Sequence, residues 1–441
     1  MKSNAKAFAV ILFAVLTLIL AACGGENHEH AFVSDWSHDD ISHWHAADCE
    51  HTGEVANKSA HAFTSQVTKE VTCTEDGSQI LTCSVCGYTK SEVISAAHAL
   101  EQIEAKEATC QEAGWDAYEK CTRCDYTTYE EKVVSHTFEK GICTGCQLDY
   151  DISWYDPEAT EFYLDSLEDF VGLMYLVNGG TDDFEGKWIF LMTDLSFEGR
   201  TLFPIGLDQT GRGFRGWFDG CGHVISHFTI GGYEAEGYRL DAVGLFGYLD
   251  YTGKVMRLGI SDFTVDVTDS ETRYVGGLVG HLGIGNVARC YAVNGSVKGC
   301  GSASVGGLVG AAMGGKVGHC YTDVTVTGKN VGGILGILGK SVTGKSGEVD
   351  ACFSMGDLTG SSYVNPIVHT SYSDKVTDCY YWEDQQYPGH WVELTHIAKP
   401  ATKEQLCSSD LIFETLGWSK RSWVIHEDAL PTLVQGLEEK K

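Results

Sequence analysis

The sequence predicts a mainly β protein: a parallel β-helix (solenoid) with a capping helix, preceded by small Cys/His-rich modules. The main observation is a glycine-framed apolar phrase, typically VGGLVG, that recurs every 26 to 32 residues and begins at Val243, Val275, Val305 and Val331. A Cys-aromatic pair recurs at a similar period, at Cys290, Cys320, Cys352 and Cys379. Units of this size cannot bury their own apolar faces, so we expect them to stack into a solenoid.

The composition agrees with short strands joined by tight corners. The 441 residues include 52 glycines and only 6 prolines, which argues against a collagen-like or disordered chain. With 31 Lys and Arg against 61 Asp and Glu, the formal net charge is −30. Because such a surface repels nucleic acid, no nucleic-acid partner is expected.

Residues 1–22 are predicted to be a lipoprotein signal peptide. Lys2 and Lys6 precede an apolar stretch, residues 7–20, that is too short to span a bilayer. The Leu-Ala-Ala-Cys sequence that follows resembles the bacterial lipobox, which implies that Cys23 is diacylated. The protein would then be extracytoplasmic, surface exposed and held to the bacterial membrane by lipid. The alternative is an ordinary cleavable signal with an incidental cysteine.

A histidine-rich segment, residues 23–60, precedes a Cys/His repeat in residues 61–150. Each full unit of this repeat has one lone cysteine, one CxxC pair and a histidine at its end, with equivalent cysteines 37 or 38 residues apart. The candidate ligands are Cys73, Cys83, Cys86 and His98 in the first unit, and Cys110, Cys121, Cys124 and His136 in the second. A truncated third unit follows.

A structural zinc ion in a Cys₃His site per unit fits this count, because CxxC places two sulfurs on one small loop and two more ligands complete a tetrahedron. Disulfides also fit an extracytoplasmic protein, although three cysteines per unit leave one unpaired. A redox CxxC would need a thioredoxin-like context, which the sequence lacks. Upstream, a denser group either binds a metal or is merely solvated; it comprises His43, His45, Cys49 and His51.

The solenoid is predicted to occupy residues 151–441 and to be closed at both ends. Ser166 caps a predicted helix whose apolar residues recur from Leu167 to Val177, and Gly179-Gly180 ends it. The non-repetitive segment 406–433 is expected to cap the other end. Short alternating segments between these caps indicate strands, with glycines at corners that need a positive φ. The cysteines of the Cys-aromatic pairs are expected to point inward as small packing residues, with the rings beside them.

Two family resemblances follow from these patterns. The phrases FEGK from Phe184, FRGWFDGCGHVI from Phe214 and the VGGLVG/Cys-Tyr repeats resemble GLUG-motif proteins over residues 184–380. That resemblance implies a right-handed parallel β-helix, as in bacterial adhesins and in the region upstream of the catalytic domain of IgA-specific metallopeptidases. The Cys/His repeat resembles tandem modules of bacterial surface proteins that act as stalks.

These patterns predict a surface binding protein, an adhesin, rather than an enzyme. The His-Glu-x-x-His sequence of the metallopeptidases is absent: the His-Glu pair at His28 is followed at once by His30, and the pair at His426 also lacks a second histidine at the required spacing. The expected partners are the membrane, through the lipid, and a host, matrix or cell-surface protein or glycan. Two alternatives stay open: a carbohydrate-active enzyme, a polysaccharide lyase or hydrolase with carboxylates on one face of the β-helix, and a purely structural envelope protein.

Overall fold

The computed structural model describes residues 29–437, apart from 50–52, 110–111, 133, 135–137, 140–141, 144, 146–147, 208–212, 232–239, 374, 387–389, 392–397 and 428. The predicted signal peptide and Cys23 therefore lie outside the described residues. The chain divides into two compact units. The first contains the residues up to Ile103 together with Tyr118–Tyr129, and the second contains Glu104–Ala117 and the chain from Glu130 onward.

The first unit consists of small antiparallel sheets. Its first three-stranded sheet comprises Phe32–His38, Ser42–Ala47 and Val55–Ala60; its second comprises Phe63–Lys69, Gly77–Cys83 and Thr89–Ile94; and Leu100–Ile103 pairs with Tyr118–Cys121. In the second unit, Gly114–Trp115 pairs with Glu131–Lys132, and Phe138–Glu139 pairs with Ile142–Cys143. The three-stranded sheets are meanders, so their successive loops lie at opposite ends of the strands.

The second unit is a parallel β-solenoid, as the sequence predicts. Sheet A has eight strands, Glu161–Leu164, Trp188–Leu191, Trp217–Asp219, Lys254–Met256, Asn286–Ala288, Lys316–Gly318, Glu348–Asp350 and Val376–Thr377. Sheet B has five, Phe246–Leu249, Val279–Leu282, Val309–Met313, Leu335–Gly339 and Val368–Ser371. All their pairings are parallel and join equivalent residues of consecutive coils.

Sheet C has sixteen strands that line the remaining sides of the coils. They are Leu195–Ser196, Thr201–Leu202, Val224–Ser226, Thr229–Gly231, Ala242–Val243, Gly259–Ser261, Thr264–Asp266, Tyr274–Gly276, Tyr291–Lys298, Ser304–Gly306, Tyr321–Gly332, Phe353–Ser354, Leu358–Asn365, Cys379–Trp382, His390–Trp391 and Ala398–Ala401. Beyond them, Lys403–Leu406 forms an α-helical turn, Asp410–Thr415 a π-helix, and Trp423–His426 pairs antiparallel with Ala429–Leu433.

The repeated glycines allow two strands of one coil to meet backbone to backbone. A Cβ atom on Gly276 would lie 2.3 Å from the carbonyl oxygen of Val279, and one on Gly306 would lie 2.0 Å from that of Val309. None of the glycines in the four phrases has a positive φ. Close approach of the backbone, and not a positive φ, requires the glycines of these phrases. The expected positive-φ glycines occur at other corners between strands, such as Gly222 at φ 84° and Gly314 at φ 93°.

Residues other than glycine also occupy left-handed corners of the solenoid. Arg289 and His319 have φ values of 55° and 56°, and each directly precedes a cysteine of the repeated pairs. The cysteines point into the core, where the thiol of Cys320 donates to the carbonyl oxygen of Gly318 at 3.1 Å. Burial raises the pKa of Cys320 and Cys352 well above the ordinary value. These thiols are packing residues that stay protonated, as expected.

Helix α1, Leu167–Asn178, closes one end of the solenoid. Ser166 caps it by accepting a hydrogen bond from the Asp169 backbone N–H at 3.1 Å, and Gly179 follows its last residue. Phe170 is fully buried, and its ring packs against Phe197 and Phe218 of the following coils, at centroid distances of 5.9 and 6.1 Å. The predicted capping helix is confirmed.

The C-terminal segment follows a different course from the predicted end cap. After Ala398–Ala401 extends sheet C, the chain runs back along the outside of that sheet. There the rings of Tyr291, Tyr321 and Phe353 stack at 5.2 and 4.9 Å, and Trp418 and Trp423 cover them. Residues 406–436 therefore form a strap along the side of the solenoid.

Two polar contacts fix this strap. The hydroxyl of Tyr321 donates to the carbonyl oxygen of Pro431 at 2.7 Å. Arg257 donates to the carbonyl oxygen of Gly436 at 2.8 Å while it pairs with the buried carboxylate of Asp219 at 2.7 Å. The rings of the Cys-aromatic pairs thus form an outer cluster that the strap buries, separate from the inward cysteines.

Candidate metal centres and grooves

The Cys/His modules bring four potential ligands together at two places, and both groups could hold a metal ion. Cluster 1 consists of His43, His61, Cys83 and Cys86, and cluster 2 of Cys73, His98, Cys121 and Cys124. In each cluster the four sulfur and nitrogen atoms all lie within 4.8 Å of one another. Four such ligands suit a closed tetrahedral site of the structural kind, because no position is left for a substrate.

Cluster 1 is assembled from three strand ends. His43 lies inside the strand Ser42–Ala47 and is 2% exposed, and its Nδ1 lies 3.8 Å from Cys83 Sγ. His61 follows the next strand, with Nδ1 3.4 Å from Cys86 Sγ. Gly87, at φ 75°, turns the chain after the CxxC pair, and its N–H donates to the carbonyl oxygen of Cys83. Both imidazoles thus present Nδ1 to the sulfurs.

The far nitrogens of these imidazoles are also held. His61 Nε2 donates to the carbonyl oxygen of Asp39 at 2.8 Å, and His43 Nε2 lies 2.9 Å from the hydroxyl of Ser59. The ring of Tyr88 stacks on His61 at a centroid distance of 4.8 Å. Metal-binding histidines are typically oriented by such outer hydrogen bonds, so cluster 1 is preorganised for an ion.

Cluster 2 repeats the arrangement one module later. Cys124 Sγ lies 3.4 Å from His98 Nδ1, and Cys73 Sγ lies 3.4 Å from Cys121 Sγ. Tyr126 stacks on His98 at 4.3 Å, as Tyr88 does on His61. The recurrence of the stacked tyrosine shows that the two clusters share one design.

The electrostatics of the thiols favour binding of a cation. Burial opposes ionisation of Cys83, but backbone N–H groups of Cys86 and Val85 and the side chain of His61 lower its pKa to about 5. Burial likewise opposes ionisation of Cys121, and a comparable set of hydrogen bonds lowers its pKa to about 5. Burial, followed by the neighbouring thiols, raises the pKa of Cys73 to about 11. Each cluster thus offers a ready thiolate, and a bound ion would draw off the other protons.

The ligand sets differ from those predicted from the sequence. Cys73 and His98 do not lie with Cys83 and Cys86; they lie with the CxxC pair of the next module. The reason is the meander: Cys73 lies in the loop before the strand Gly77–Cys83, and the CxxC pair lies in the loop after it. Seven residues span about 23 Å, so the lone cysteine cannot reach its own CxxC pair.

The remaining predicted ligands have different outcomes. Cys110 and His136 lie outside the described residues. The predicted grouping of these two with Cys121 and Cys124 is corrected because Cys73 and His98 join that pair in cluster 2. Of the dense upstream group, His43 joins a cluster. His45 instead approaches the carbonyl oxygen of Asp35, at 3.2 Å. His43 and His61 are the ligands that sequence reasoning left out of its sets, although His61 begins its repeat unit as His98 begins the next.

The solenoid surface carries two grooves. Groove 1 has a volume of about 340 Å³ and lies on the outside of sheet B, around His281, Tyr251 and Tyr274. Groove 2 has a volume of about 290 Å³ and contains two carboxylates and an aromatic ring, those of Asp323, Asp357 and Trp382. Burial raises the pKa of Asp323, and the neighbouring Asp357 adds to this effect.

Comparisons with known proteins assign this chain to no family. No protein-family model matches the chain, and no curated protein matches it. A solved structure titled "IgA1 Protease" aligns with 79% of this chain at 14% sequence identity and a TM-score of 0.30. The aligned part is 29% of the length of that structure. The resemblance to GLUG-repeat proteins therefore stays a prediction. Among the described residues, no helix has both the length and the apolar character needed to cross a membrane.

Proposed function

We propose that this chain is a lipid-anchored bacterial surface protein in which zinc-bearing modules form a stalk and the β-solenoid is the binding domain. The observation that supports it most strongly is that each Cys/His cluster takes its side chains from two consecutive segments of the chain. Cluster 1 joins His43 of the histidine-rich segment to the first module. Cluster 2 joins Cys73 of one module to Cys121 and Cys124 of the next. An ion held there fixes the junction between modules, which is what a stalk requires and what a catalytic site does not.

The solenoid supports the binding half of the proposal. Its coils stack in register, so equivalent residues form straight rows over the whole length of sheets A and B. Rigid rows of this kind present an extended surface at little entropic cost on binding. Helix α1 and the C-terminal strap cover apolar surface that would otherwise aggregate. The adhesin role remains the best-supported use of such a surface.

Metal analysis tests the stalk. Protein purified without chelator should contain at least two zinc ions per chain. A Cys83→Ser, Cys86→Ser double variant should lose one, and Cys121→Ser another, while Cys300→Ser, a cysteine outside both clusters, should lose none. Less than one zinc ion per chain, together with no titratable thiols in the modules, would show disulfides instead and contradict the proposal.

Fractionation and adhesion assays test the anchor and the display role. The full chain expressed in a bacterium should partition into detergent, and Cys23→Ser should move it to the aqueous phase. Soluble protein should compete with intact cells for binding to host cells or immobilised matrix. Unchanged partitioning of the Cys23 variant would contradict the proposed lipid anchor. Absence of any competition would contradict the proposed adhesin role.

Groove 2 supports a second candidate function, glycoside hydrolysis. A half-buried carboxyl with a raised pKa, Asp323, lies in one groove with the exposed carboxylate of Asp357, and Trp382 could stack on a sugar ring. Acid and base carboxylates in unlike environments are what glycosidases use. Polysaccharide depolymerisation by the wild type that is lost in both Asp323→Asn and Asp357→Asn would establish this function in place of simple adhesion.

A further inference from the structure

Groove 1 is formed by three elements of the solenoid. Its floor is the outer face of sheet B, where His281 and Met313 lie on neighbouring strands. Tyr251 and Tyr274 stand on the corner and strand beside this floor. The rim is the segment 340–342, which follows the fourth strand of the sheet. At about 340 Å³, the groove has room for a small ligand.

The floor carries a polar atom without a partner. His281 is 7% exposed, and its Nδ1 makes no hydrogen bond with any of the described residues. Its ring packs against Tyr248 and Tyr274 at centroid distances of 5.1 and 5.5 Å. Because burial lowers the pKa of His281 to about 4, the ring is neutral at pH 7. A buried unsatisfied nitrogen costs stability, which a ligand hydroxyl would recover.

The two tyrosines that flank the floor are held in place by arginines. The guanidinium carbon of Arg215 lies 5.1 Å from the ring centroid of Tyr251, and that of Arg273 lies 5.3 Å from Tyr274. Arg215 is paired in turn with Asp250 at 3.1 Å. The rings are therefore oriented before any ligand arrives, which lowers the entropic cost of stacking on them.

The charges in the groove are nearly balanced. Among the described residues that line the groove, Asp250 supplies the one carboxylate, and Arg215 pairs with it. Lys340 on the rim is exposed and forms no ion pair with the described residues. A multivalent anion would lack enough cations, and a metal ion would lack enough free carboxylates. A purely apolar ligand would leave the imidazole nitrogen unsatisfied.

We infer that groove 1 binds a single pyranose residue of a glycan. A pyranose has an apolar C–H face that stacks on aromatic rings such as Tyr251 and Tyr274. Its hydroxyls can both donate and accept hydrogen bonds, as the imidazole of His281 and the carboxylate of Asp250 require. The inference rests on the proposed binding role of the solenoid and names the chemistry of its ligand; it does not depend on zinc in the modules.

Saturation-transfer NMR on the purified full chain tests the inference. The probes are galactose, mannose, N-acetylglucosamine, glucuronic acid and N-acetylneuraminic acid, each at millimolar concentration. At least one should receive saturation, and its affinity should fall at least tenfold in Tyr251→Ala and in His281→Phe. Tyr363→Ala removes an equally exposed ring on sheet C and should leave the affinity unchanged. The comparison is valid if the variants have unfolding midpoints near the wild-type value. If His281→Phe does not fold, the affinity of Tyr251→Ala alone tests the inference.

The outcomes separate this inference from the proposed function. If only acidic sugars bind and Lys340→Gln abolishes the binding, the groove takes a sugar acid. If neutral sugars bind and Lys340→Gln has no effect, it takes a neutral sugar. Binding of no sugar, or binding that Tyr251→Ala and His281→Phe leave unchanged, overturns the inference. In that case competition with host cells by the same protein preparation would show that the adhesin role survives without this groove.

Discussion

The stability of the solenoid should depend on pH through His281, which is buried on sheet B. Burial lowers its pKa from the ordinary value of 6.5 to about 4. The charges around it oppose one another, since Asp250 and Asp241 act to raise the pKa and Arg273 acts to lower it. Desolvation of the imidazolium is therefore the effect that decides the direction of the shift.

The sign of the pH effect follows from proton binding. Between pH 6.5 and about 4, the unfolded chain binds a proton at this histidine and the folded chain does not, so the folded state loses stability as the pH falls. The gap between the two pKa values is about 2.5 units, and one unit corresponds to 1.36 kcal/mol. The full loss is therefore about 3 kcal/mol, reached only below pH 4, and most of it has occurred by pH 4.5.

Urea unfolding of the wild type and of His281→Gln, at pH 7.0 and 4.5, measures this contribution. Glutamine keeps polar groups at the position but does not titrate, and the titration of all other groups, including release of metal ions, cancels in the comparison. The wild type should lose about 2–3 kcal/mol more than the variant between the two pH values. Equal losses in the two proteins would refute the assignment of a neutral buried imidazole.

Three further outcomes are expected from the packing of the solenoid. Gly306→Ala should destabilise it by about 1–3 kcal/mol in denaturant unfolding because the new Cβ meets a carbonyl oxygen, whereas Gly53→Ala, with open space around it, should not. Trp418→Ala should cost about 3–5 kcal/mol and expose the stacked rings beneath the strap to a hydrophobic dye, and an unchanged unfolding midpoint would contradict this packing. In native protein, iodoacetamide should modify the exposed thiol of Cys124 in the metal-free form and leave Cys320 unmodified, as mass spectrometry would report.

The solenoid could be predicted from the sequence because its repeats impose one register on every coil. Val275, Val305 and Val331 begin equivalent phrases, and in the structure they pair with one another in sheet C. The course of the C-terminal strap could not be predicted. Trp418 and Trp423 are recognisably apolar, but which surface they cover depends on a distant feature, the row of rings headed by Tyr291.

The ligands of the Cys/His modules could be recognised from the sequence, but their grouping could not be read from spacing alone. Spacing along the chain placed Cys73 with Cys83, whereas the alternate loops of a meander separate them. Knowledge that Gly77–Cys83 is a full strand would have been enough to correct the grouping. If the corrected grouping is continued along the sequence, Cys110 and His136 group with Cys143 and Cys146, whose side chains lie beyond those described. The sequence therefore predicts a third ion.

Each Cys/His cluster takes its side chains from two consecutive segments of the chain, and this has a consequence for how the proposed stalk changes in length. If one period were removed, residues 61–97, His43 would be left with His98, Cys121 and Cys124, which is again a complete set of four ligands. Removal of half a period would leave an incomplete set and an unpaired buried thiol. The modules can therefore be gained or lost only as whole units, and the length of the Cys/His region should vary among close relatives in steps of 37 or 38 residues.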